Sequence, residues 1–445
     1  MTDSVASAAR VNRSGWRLAL YGAVMMALQP LLLIKLLWRA RSEPLYGQRV
    51  WQRLGYDYRP ASDQVRGRVW LHAVSLGETR AAAVLMQALR EHDSGIRFLL
   101  THGTATGWAA GAALLREGDL QAWAPWDAPG CVRRFLKHFS PRCGLVMETE
   151  VWPAMLAGAE MAGVPMALVN ARMSQRSMLK AERLIGLLGP AMASFSTVLA
   201  QSQADAQRLQ RLGARQCVVV GNLKFDMHPD PALVAQGTLW RANVNLPVVL
   251  LASSREGEEM AWVQAWLKWR EQHPSSSPVQ WLIVPRHPNR FDEVIGLLTQ
   301  AGLTVSRRST WTSDGPNVEA QTADVWLGDS MGEMPLYYAM STLALLGGSF
   351  GPFGGQNLIE AVACSCPVIV GPHTFNFDEA VNQLASKDAL FRVSDFSEAI
   401  GQVQGALITD DGLNEMRARG LAVLCTHAGS AQRTVSGLAA LLPPL

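Results

Sequence analysis

An acidic side chain stands where an apolar segment meets a helical pattern in the stretch LHAVSLGETRAA, residues 71–82. Glu78 lies three residues after Ser75 and directly after Gly77. A phosphate-binding turn would be rich in glycine and free of negative charge. A carboxylate at this position is suited instead to removing a proton from a hydroxyl group. The structural alternative is that Glu78 only interacts with the positive end of the following helix, which would favour its ionised form.

Other charged groups also follow apolar segments. Glu148 and Glu150 come directly after Gly144–Met147, and Lys224 follows Cys217–Val220. Carboxylates and a lysine at these positions are suited to balancing the charge near an activated sugar. The structural alternative for Glu148 and Glu150 is a hydrogen-bonded acidic pair, and for Lys224 it is a surface lysine.

The second half of the chain carries groups suited to a nucleotide. Arg286 follows an apolar segment and can bind a phosphate through two N–H groups. Gly347 and Gly348 allow close backbone approach, and Gly354-Gly355-Gln356-Asn357 opens a helix whose free N–H groups favour an anion. Glu360 lies one turn further, where a carboxylate can accept both hydroxyls of a ribose. The pattern indicates a nucleotide-sugar site; the structural alternative takes the glycines as turns and pairs Arg286 with a surface acid.

Several classes of chemistry have no motif in this sequence. The nine histidines have no metal-ligand spacing, and no Asp-x-Asp follows an apolar segment, so we expect neither a metal nor a bound cofactor. The GxGxxG motif is missing, which argues against a dinucleotide enzyme. The six cysteines include no CxxC pair and are interpreted as reduced cytoplasmic thiols.

The elements that must position these residues alternate between short apolar segments and helix-length patterns such as 79–91 and 204–212. This alternation predicts parallel sheets covered by helices on both faces. The polar stretch 226–246 divides the chain into two doubly wound α/β domains, predicted to face each other across a cleft. Ligands of such sheets bind beyond the carboxyl ends of the strands. The predicted strands are 69–74, 96–100, 144–147, 165–169, 197–200 and 217–220, then 247–251, 280–284, 303–305, 325–327, 343–346, 368–370 and 390–393.

The N-terminal segment Trp16–Ala40 is apolar, with 17 uncharged residues between Arg17 and Lys35. A spanning helix needs about 20 such residues, so the segment predicts a membrane anchor whose depth is open. The alternative is a buried amphipathic helix. Residues 1–60 contain nine Lys and Arg against three acids, and the rest contains 31 against 34. This distribution favours a phospholipid surface as partner and argues against nucleic acid.

Ten motifs along the chain occur in the same order as in a known family of enzymes. The sequence resembles the 3-deoxy-D-manno-oct-2-ulosonic acid (Kdo) transferases of lipopolysaccharide assembly, and the resemblance covers nearly the whole chain. The motifs are HAVSLGE, APWDAP, METEVWP, VNARMSQRS, GNLKFD, SSREGEE, VPRHPNRF, GDSMGEM, LLGGSF with GGQNLIEA, and VGPHTFNF.

The resemblance implies an α/β chain with the GT-B glycosyltransferase fold, two Rossmann-like domains facing a central cleft, and an N-terminal membrane-anchor helix. The expected domains are 1–60 (anchor and basic segment), 61–228 (acceptor domain) and 229–445 (donor domain, with its last helix packing back on the first domain). The donor would be CMP-Kdo and the acceptor the lipid A precursor lipid IVA. The site would lie on the cytoplasmic face of the inner membrane, in contact with its phospholipid.

The resemblance also implies roles for individual residues. Glu78 would be the general base, with Glu148 and Lys224 stabilising the transition state. The acceptor is expected to contact residues that follow predicted strands, namely Ser75, Gly77, Thr101 and Arg172. The residues expected to bind CMP are Pro285, Arg286, Met331, Gly332, Glu333, Gly347, Gly348, Asn357 and Glu360.

The sequence departs from the family pattern at three places: Gln356 stands where His is expected, Ser254-Arg255 replace Thr-His, and 101–107 is a looser version of a Thr-rich stretch. The number of Kdo units transferred stays open. Two other functions are compatible with the residues. One is a membrane-associated GT-B transferase that uses a UDP-sugar, and the other is a catalytically inactive, membrane-tethered carbohydrate-binding protein.

Overall fold

A computed structural model describes residues 2–61, 65–227, 229–408 and 410–442 of the chain. The chain divides into two compact units. Unit 1 comprises Met1–Asp226 and Gly429–Leu445, and unit 2 comprises Met227–Ala428. The division therefore follows Asp226, and the C-terminal residues belong to the same unit as the N-terminal ones. The cleft between the domains stays a prediction.

Unit 1 is built on a parallel sheet in the order β3-β2-β1-β4-β5-β6-β7. Its strands are β1 (Val69–His72), β2 (Phe98–His102), β3 (Leu120–Trp123), β4 (Cys143–Met147), β5 (Met166–Ala171), β6 (Thr197–Ala200) and β7 (Cys217–Val219). Its helices are α1 (Thr2–Arg39), α2 (Leu76–His92), α3 (Ala105–Ala112), α4 (Pro129–Phe139), α5 (Pro153–Met161), α6 (Gln175–Glu182), α7 (Ile185–Ala193) and α8 (Gln203–Leu212). Short 3-10 turns lie at Pro44–Gly47, Val50–Leu54 and Leu223–Asp226.

Unit 2 repeats this architecture with the strand order β10-β11-β9-β8-β12-β13-β14. Its strands are β8 (Val248–Ser254), β9 (Gln280–Pro285), β10 (Val305–Arg307), β11 (Val325–Leu327), β12 (Leu343–Leu346), β13 (Val368–Val370) and β14 (Phe391–Arg392). Its helices are α9 (Pro231–Ala242), α10 (Glu258–Gln272), α11 (Phe291–Gln300), α12 (Val318–Gln321), α13 (Met334–Met340), α14 (Leu358–Ala363), α15 (Asp378–Ala385), α16 (Phe396–Ala406) and α17 (Asp410–His427). The last helix, α18 (Ser430–Gly437), lies in unit 1.

The central strands form because they are apolar on both faces, as parallel strands covered by helices must be. All four residues of β1 are buried, and Val69 pairs with Phe98 on one side and Cys143 on the other. The helices contribute apolar stripes: in α4 the buried side chains include Val132, Phe135 and Phe139, spaced at about one helical turn. Two apolar layers therefore enclose the sheet.

The predicted doubly wound α/β architecture is confirmed, since every predicted strand overlaps one that the structure contains. Boundaries shift by up to three residues: 96–100 becomes Phe98–His102, and 247–251 becomes Val248–Ser254. The sequence analysis missed β3. Leu120 and Gln121 in this edge strand are only half-buried, so its sequence LQAW has no continuous apolar run. Its position beyond β2 widens the edge of the sheet on which the site residues lie.

The N-terminal helix α1 has two different faces. Gly15–Arg39 is long and apolar enough to cross a membrane, with a mean hydropathy of 1.8. One face packs on unit 1: the Tyr21 hydroxyl donates to Asp127 Oδ2 at 2.7 Å, and a side chain at position 22 would meet Pro129. The other face exposes apolar side chains, among them Trp16, Leu20, Val24, Leu28, Leu31, Ile34 and Trp38. The helix is therefore attached along its side and apolar on both faces.

Candidate active site

Glu78 lies in the first turn of α2, directly beyond the carboxyl end of β1. Ser75 is the N-cap of this helix, and its hydroxyl donates to Glu78 Oε1 at 2.8 Å. The backbone N–H of Val74 donates to Glu78 Oε2, also at 2.8 Å. This arrangement is a capping box, in which a serine and a glutamate three residues apart fix the start of a helix. Both carboxylate oxygens are thereby held in one orientation.

The environment of Glu78 raises the pKa of its carboxyl group to about 7. Burial is the main cause, because removal from water disfavours the charged form. The hydrogen bonds from Val74 and Ser75 act in the opposite direction, and the nearby carboxylates of Glu150 and Glu148 raise the pKa further. The hydrogen bonds at the start of α2 favour the ionised form of Glu78, but burial outweighs them. A carboxyl group with this pKa is half ionised near neutral pH, where a general base is most effective.

Glu148 follows β4 and holds two cations. Its carboxylate is buried and lies 2.8 Å from Lys224 Nζ and 3.0 Å from Arg172 Nε. The backbone of Glu148 has a φ of +56°, a left-handed conformation that non-glycine residues adopt at a cost. Glu150, two residues on, accepts a hydrogen bond from Trp152 Nε1 at 2.6 Å, and burial raises the pKa of its carboxyl group. Glu148 is therefore a carboxylate bound by two cations, and Glu150 is a separate acid.

Lys224 is positioned by two asparagines, Asn170 near the end of β5 and Asn222 after β7. Asn170 Oδ1 accepts the backbone N–H of Leu223 at 3.0 Å, and Asn222 Oδ1 accepts that of Lys224 at 3.0 Å. The short turn that carries Lys224 is thus hydrogen-bonded to the end of β5. These hydrogen bonds fix the backbone from which the lysine ammonium reaches Glu148 Oε1 at 2.8 Å.

The topology explains why these groups lie near one another. In a doubly wound sheet, ligands bind where the strand order reverses, outside the carboxyl ends of the strands. In unit 1 this point lies between β1 and β4. Glu78 follows β1 and Glu148 follows β4, so the two predicted catalytic acids flank the reversal point.

The residues predicted to contact the acceptor have different surroundings. Gly77 is exposed, and a Cβ there would lie 4.0 Å from Ser75 Oγ, an ordinary van der Waals contact. Ser75 is half-buried beside Glu78, and the side chain of Arg172 is 47% exposed. Thr101 is fully buried, and its hydroxyl accepts from Trp70 Nε1 at 2.8 Å. This position leaves Thr101 no surface for an acceptor, so its assignment is corrected to a role inside the sheet.

Two buried histidines lie beneath this edge and act as neutral groups. His72 Nδ1 is 2.9 Å from Thr101 Oγ1, and burial lowers the pKa of His72 to about 3. His102 Nδ1 is 2.9 Å from the carbonyl oxygen of Ala73, and burial lowers the pKa of His102 to about 4. Neither ring is protonated at neutral pH, so neither histidine places a positive charge beneath Glu78.

In unit 2 the strand order reverses between β8 and β12, and the predicted donor residues follow these strands and their neighbours. Pro285 ends β9, and the N–H of the half-buried Arg286 donates to Ser254 O at 3.0 Å. The hydroxyl of Ser254 donates to Glu259 Oε1 at 2.7 Å. Glu259 in turn binds the buried Arg290 through two contacts of 2.8 and 3.1 Å. A buried ion pair therefore supports the segment that carries Arg286.

The sequence analysis assigned no role to Glu258, which organises the loop after β12. Its buried carboxylate accepts the backbone N–H groups of Gly348 at 2.7 Å, Phe350 at 3.1 Å and Gly351 at 3.0 Å. It also accepts the N–H of Arg255 at 2.8 Å. The available signal was the adjacent acids Glu258 and Glu259 that end SSREGEE, shortly after the predicted strand 247–251.

This contact changes the interpretation of Gly347 and Gly348. A side chain at Gly347 would lie 2.5 Å from Ser253 O and 2.7 Å from Ala252 O, so the neighbouring strand requires glycine. Gly348 has a φ of +70°, which favours glycine, and its N–H is bound by Glu258. The close approach inferred from the sequence is therefore made by strand β8 and by a carboxylate of the protein.

The remaining predicted donor residues lie on two turns. Met331 is 69% exposed and Gly332 has a φ of +81°. Glu333 precedes α13, where Arg308 Nη2 lies 2.9 Å from its Oε1. Asn357 is the N-cap residue of α14, and Glu360 lies in the first turn of that six-residue helix, half-buried. A nucleotide at this edge would meet one arginine, two acids and an amide side chain.

No cluster of three or more His, Cys, Asp and Glu side chains that would hold a metal ion occurs among the residues that the structure describes. The charged groups of the site are instead organic cations and carboxylates, together with backbone N–H groups. Such a set can remove a proton from a hydroxyl group and neutralise a phosphate.

Comparison with known proteins identifies the family. A family model for 3-deoxy-D-manno-octulosonic acid transferase (Kdo transferase) matches residues 48–227. A 3-deoxy-D-manno-octulosonic acid transferase of Bordetella pertussis is 46% identical over 377 residues, covering 83% of this chain and 86% of the relative. The transferase of Haemophilus influenzae is 31% identical over 425 residues, covering 94% and 97%.

Solved structures agree on the architecture. A glycosyltransferase from Rickettsia africae has a TM-score of 0.54 at 14% identity, covering 85% of this chain and 99% of that one. At this identity the likeness concerns the fold alone, and it confirms the predicted GT-B type. The chain belongs to the Kdo transferases, glycosyltransferases of lipopolysaccharide biosynthesis.

Proposed function

We propose that the protein transfers Kdo from CMP-Kdo to the lipid A precursor lipid IVA. The observation that carries this proposal is Glu78, a buried and oriented carboxylate with a pKa of about 7 at the reversal point of a Kdo transferase sheet. Such a group can take the proton of a primary hydroxyl as that oxygen attacks the anomeric carbon of Kdo. The new glycosidic bond forms as the bond to CMP breaks, with inversion. CMP leaves carrying the electron pair on its phosphate oxygen.

We propose that the net charge around the reacting atoms is set by Glu148, Lys224 and Arg172. One carboxylate between two cations leaves a net positive charge close to the base. This positive charge would attract the carboxylate of the donor sugar. Lys224 is held more firmly than Arg172, because its side chain is 19% exposed and that of Arg172 is 47% exposed.

CMP is proposed to bind at the carboxyl edge of the unit 2 sheet. Arg286 would bind the single phosphate, while Glu333 and Glu360 would accept hydrogen bonds from hydroxyls of the nucleotide. We propose that no metal takes part, because a leaving group with one phosphate carries less charge than a diphosphate and a guanidinium can bind it through two N–H groups. Pro285, Met331, Gly332 and Asn357 would shape the surface on which the nucleotide lies.

A lipid acceptor also requires the protein to work at a membrane. We propose that α1 associates with the phospholipid of the inner membrane from its cytoplasmic side. The exposed apolar side chains of α1 support this, since Trp16, Leu31 and Trp38 are each more than half exposed. Arg39 ends the helix, Arg41 and Arg49 follow it, and these cations suit an anionic surface.

The test is transfer by the purified full-length protein in detergent. Lipid IVA is incubated with CMP-Kdo generated in situ, and the lipid is analysed by mass spectrometry. The expected product is lipid IVA carrying Kdo, and the mass gives the number of units added. The Glu78→Gln protein is the matched control and should form product about 10²-fold to 10⁴-fold more slowly. Transfer from a UDP-sugar alone, or thermal stabilisation by UDP and not by CMP, would contradict the proposal. Binding without transfer by the unmutated protein would favour the inactive carbohydrate-binding alternative.

A further inference from the structure

A cavity of about 330 Å³ in unit 1 lies between α1 and the ends of the first strands. We name it the α1 cavity. Met25 and Leu32 of α1 form one wall, and Trp126, Trp152 and Met155 form another. Apolar cavities of about half this volume stay free of water and bind small hydrocarbons. The α1 cavity is therefore large enough for several methylene groups of an acyl chain.

Arg53 lines the α1 cavity and lacks an acidic partner among the residues that the structure describes. It is 5% exposed, and its Nε has no hydrogen-bond partner within that part of the chain. Its Nη2 donates to Gly103 O at 3.2 Å, and its guanidinium lies 4.2 Å from the centroid of the Trp123 ring. A buried charge without a counter-ion is unfavourable, and burial lowers the pKa of Arg53 to about 10. An anionic ligand would remove this cost.

The other polar groups of the cavity do not compete for such a ligand. The carboxylate of Asp127 accepts three hydrogen bonds, from the backbone N–H groups of Ala154 and Met155 and from the Tyr21 hydroxyl. His72 is neutral at pH 7, as described above. Arg53 is thus the group of this cavity able to pair with an added negative charge.

The cavity is adjacent to the proposed base. Val74 lines the cavity, and its backbone N–H is the one that donates to Glu78 at 2.8 Å. Gly103, which accepts from Arg53, donates its own N–H to Val74 O at 3.1 Å. A short series of contacts therefore connects Arg53 to Glu78. A molecule placed with a hydroxyl at Glu78 could reach Arg53 and the apolar walls together.

We propose that the α1 cavity is the lipid subsite of the acceptor: one acyl chain lies between α1 and the strand ends, and Arg53 pairs with a phosphate of the same lipid. This inference rests on the proposed function, whose acceptor is a phosphorylated and acylated glucosamine disaccharide. The combination of an apolar wall with a single unpaired cation matches that chemistry. It also explains why an apolar helix is packed over the carboxyl edge of the sheet.

The test uses three acceptors with the full-length protein in detergent: lipid IVA, its deacylated derivative and its dephosphorylated derivative. Ala124→Phe fills the cavity and should raise the KM for lipid IVA by about thirtyfold or more, with a much smaller effect on the deacylated acceptor. Arg53→Gln should raise the KM for lipid IVA by about thirtyfold, and the effect should disappear with the dephosphorylated acceptor. Arg53→Lys should restore part of the loss.

The matched control is Ala323→Phe, which fills a cavity of about 550 Å³ in unit 2 and should leave the KM for lipid IVA unchanged. Equal effects of Ala124→Phe on acylated and deacylated acceptors would overturn the proposal, because they would indicate a structural defect. Weaker flotation of Ala124→Phe with phospholipid vesicles, at an unchanged KM for lipid IVA, would assign the cavity to phospholipid and also overturn it.

A second measurement does not depend on catalysis or on the folding of a variant. Lipid IVA with a diazirine in one acyl chain is photolysed with the unmutated protein, and the labelled peptides are sequenced. Labelling of Met25, Leu32, Trp126 or Met155 supports the proposal, and labelling confined to other surfaces overturns it. If the unmutated protein labels in the cavity but transfers no Kdo, the proposed function fails while the lipid subsite stands.

Discussion

Ser75→Ala offers a direct test of Glu78 as the general base. The Ser75 hydroxyl donates to Glu78 Oε1 at 2.8 Å and stabilises the ionised carboxylate. A hydrogen bond to a charged group is worth about 1.5 kcal/mol or more, and one pKa unit corresponds to about 1.4 kcal/mol. Removal of the hydroxyl should therefore raise the pKa of Glu78 from about 7 by about one unit.

The assay is the dependence of kcat/KM on pH, which reports the ionisation of the free enzyme. The unmutated protein should gain activity as the pH rises through 7, because the base must lose its proton. In Ser75→Ala this rise should move to about pH 8. At pH 7 the ionised fraction should fall from about one half to about one tenth, so activity should drop about fivefold and recover near pH 9.

Ser202→Ala is the matched control. Ser202 caps α8 in the same unit and forms the same kind of box, since its hydroxyl accepts from Asp205 N at 3.1 Å and donates to the Asp205 carboxylate. Both substitutions should cost about 1 kcal/mol of stability through the lost cap. Only Ser75→Ala should move the pH profile. Profiles of the unmutated and Ser75→Ala proteins that differ by a constant factor at every pH would refute the assignment of Glu78 as the titrating base.

Three further predictions concern the charged groups of the two units. Glu78→Gln should lower kcat by about 10²-fold to 10⁴-fold. The pKa of this acid is raised from 4.5 to about 7 on folding, so its stabilising contribution is complete below pH 4.5 and lost as the pH rises through 7. Glu78→Gln should therefore increase the free energy of unfolding in urea at pH 8, by up to about 3 kcal/mol, with no gain at pH 4.5. Lys224→Met should lower the free energy of unfolding by about 3 kcal/mol, and Arg172→Met should lower it by less than about 1 kcal/mol. The reason is that the lysine is the more buried of the two partners of the Glu148 carboxylate. Equal losses for the two variants in urea titrations would contradict this prediction. Glu258→Gln should weaken CMP binding by about tenfold or more in calorimetry, because both carboxylate oxygens accept N–H groups of the loop after β12 and the NH2 group of an amide cannot accept them. The exposed neighbour Glu256→Gln should leave CMP affinity unchanged, and an equal loss in both variants would exclude a specific role of that loop.

The strands were predictable because most are continuous apolar runs, and the position of Glu78 followed from the rule that ligands bind at strand ends. β3 was not predicted because an edge strand is less buried than a central one and needs fewer apolar residues. The importance of Glu258 was hidden because its partners, the N–H groups of residues 348–351, lie about 90 residues further along the chain. Thr101 was misassigned for a related reason: the sequence places it at a strand end, but only the three-dimensional packing shows Trp70 and His72 around its hydroxyl.

The side-on attachment of α1 has a practical consequence for anyone who handles this protein. Shortening the chain to begin after Ala40 is an obvious way to avoid detergent. It would uncover Asp127, Pro129 and Cys131, which α1 contacts through Tyr21, Gly22 and Gln29. A shortened protein would therefore expose a new surface prone to self-association. The Asp127 carboxylate would also lose the Tyr21 hydroxyl that donates to it. The residual activity of the shortened protein would report on a damaged enzyme, because this helix is a part of the fold and not a detachable tether.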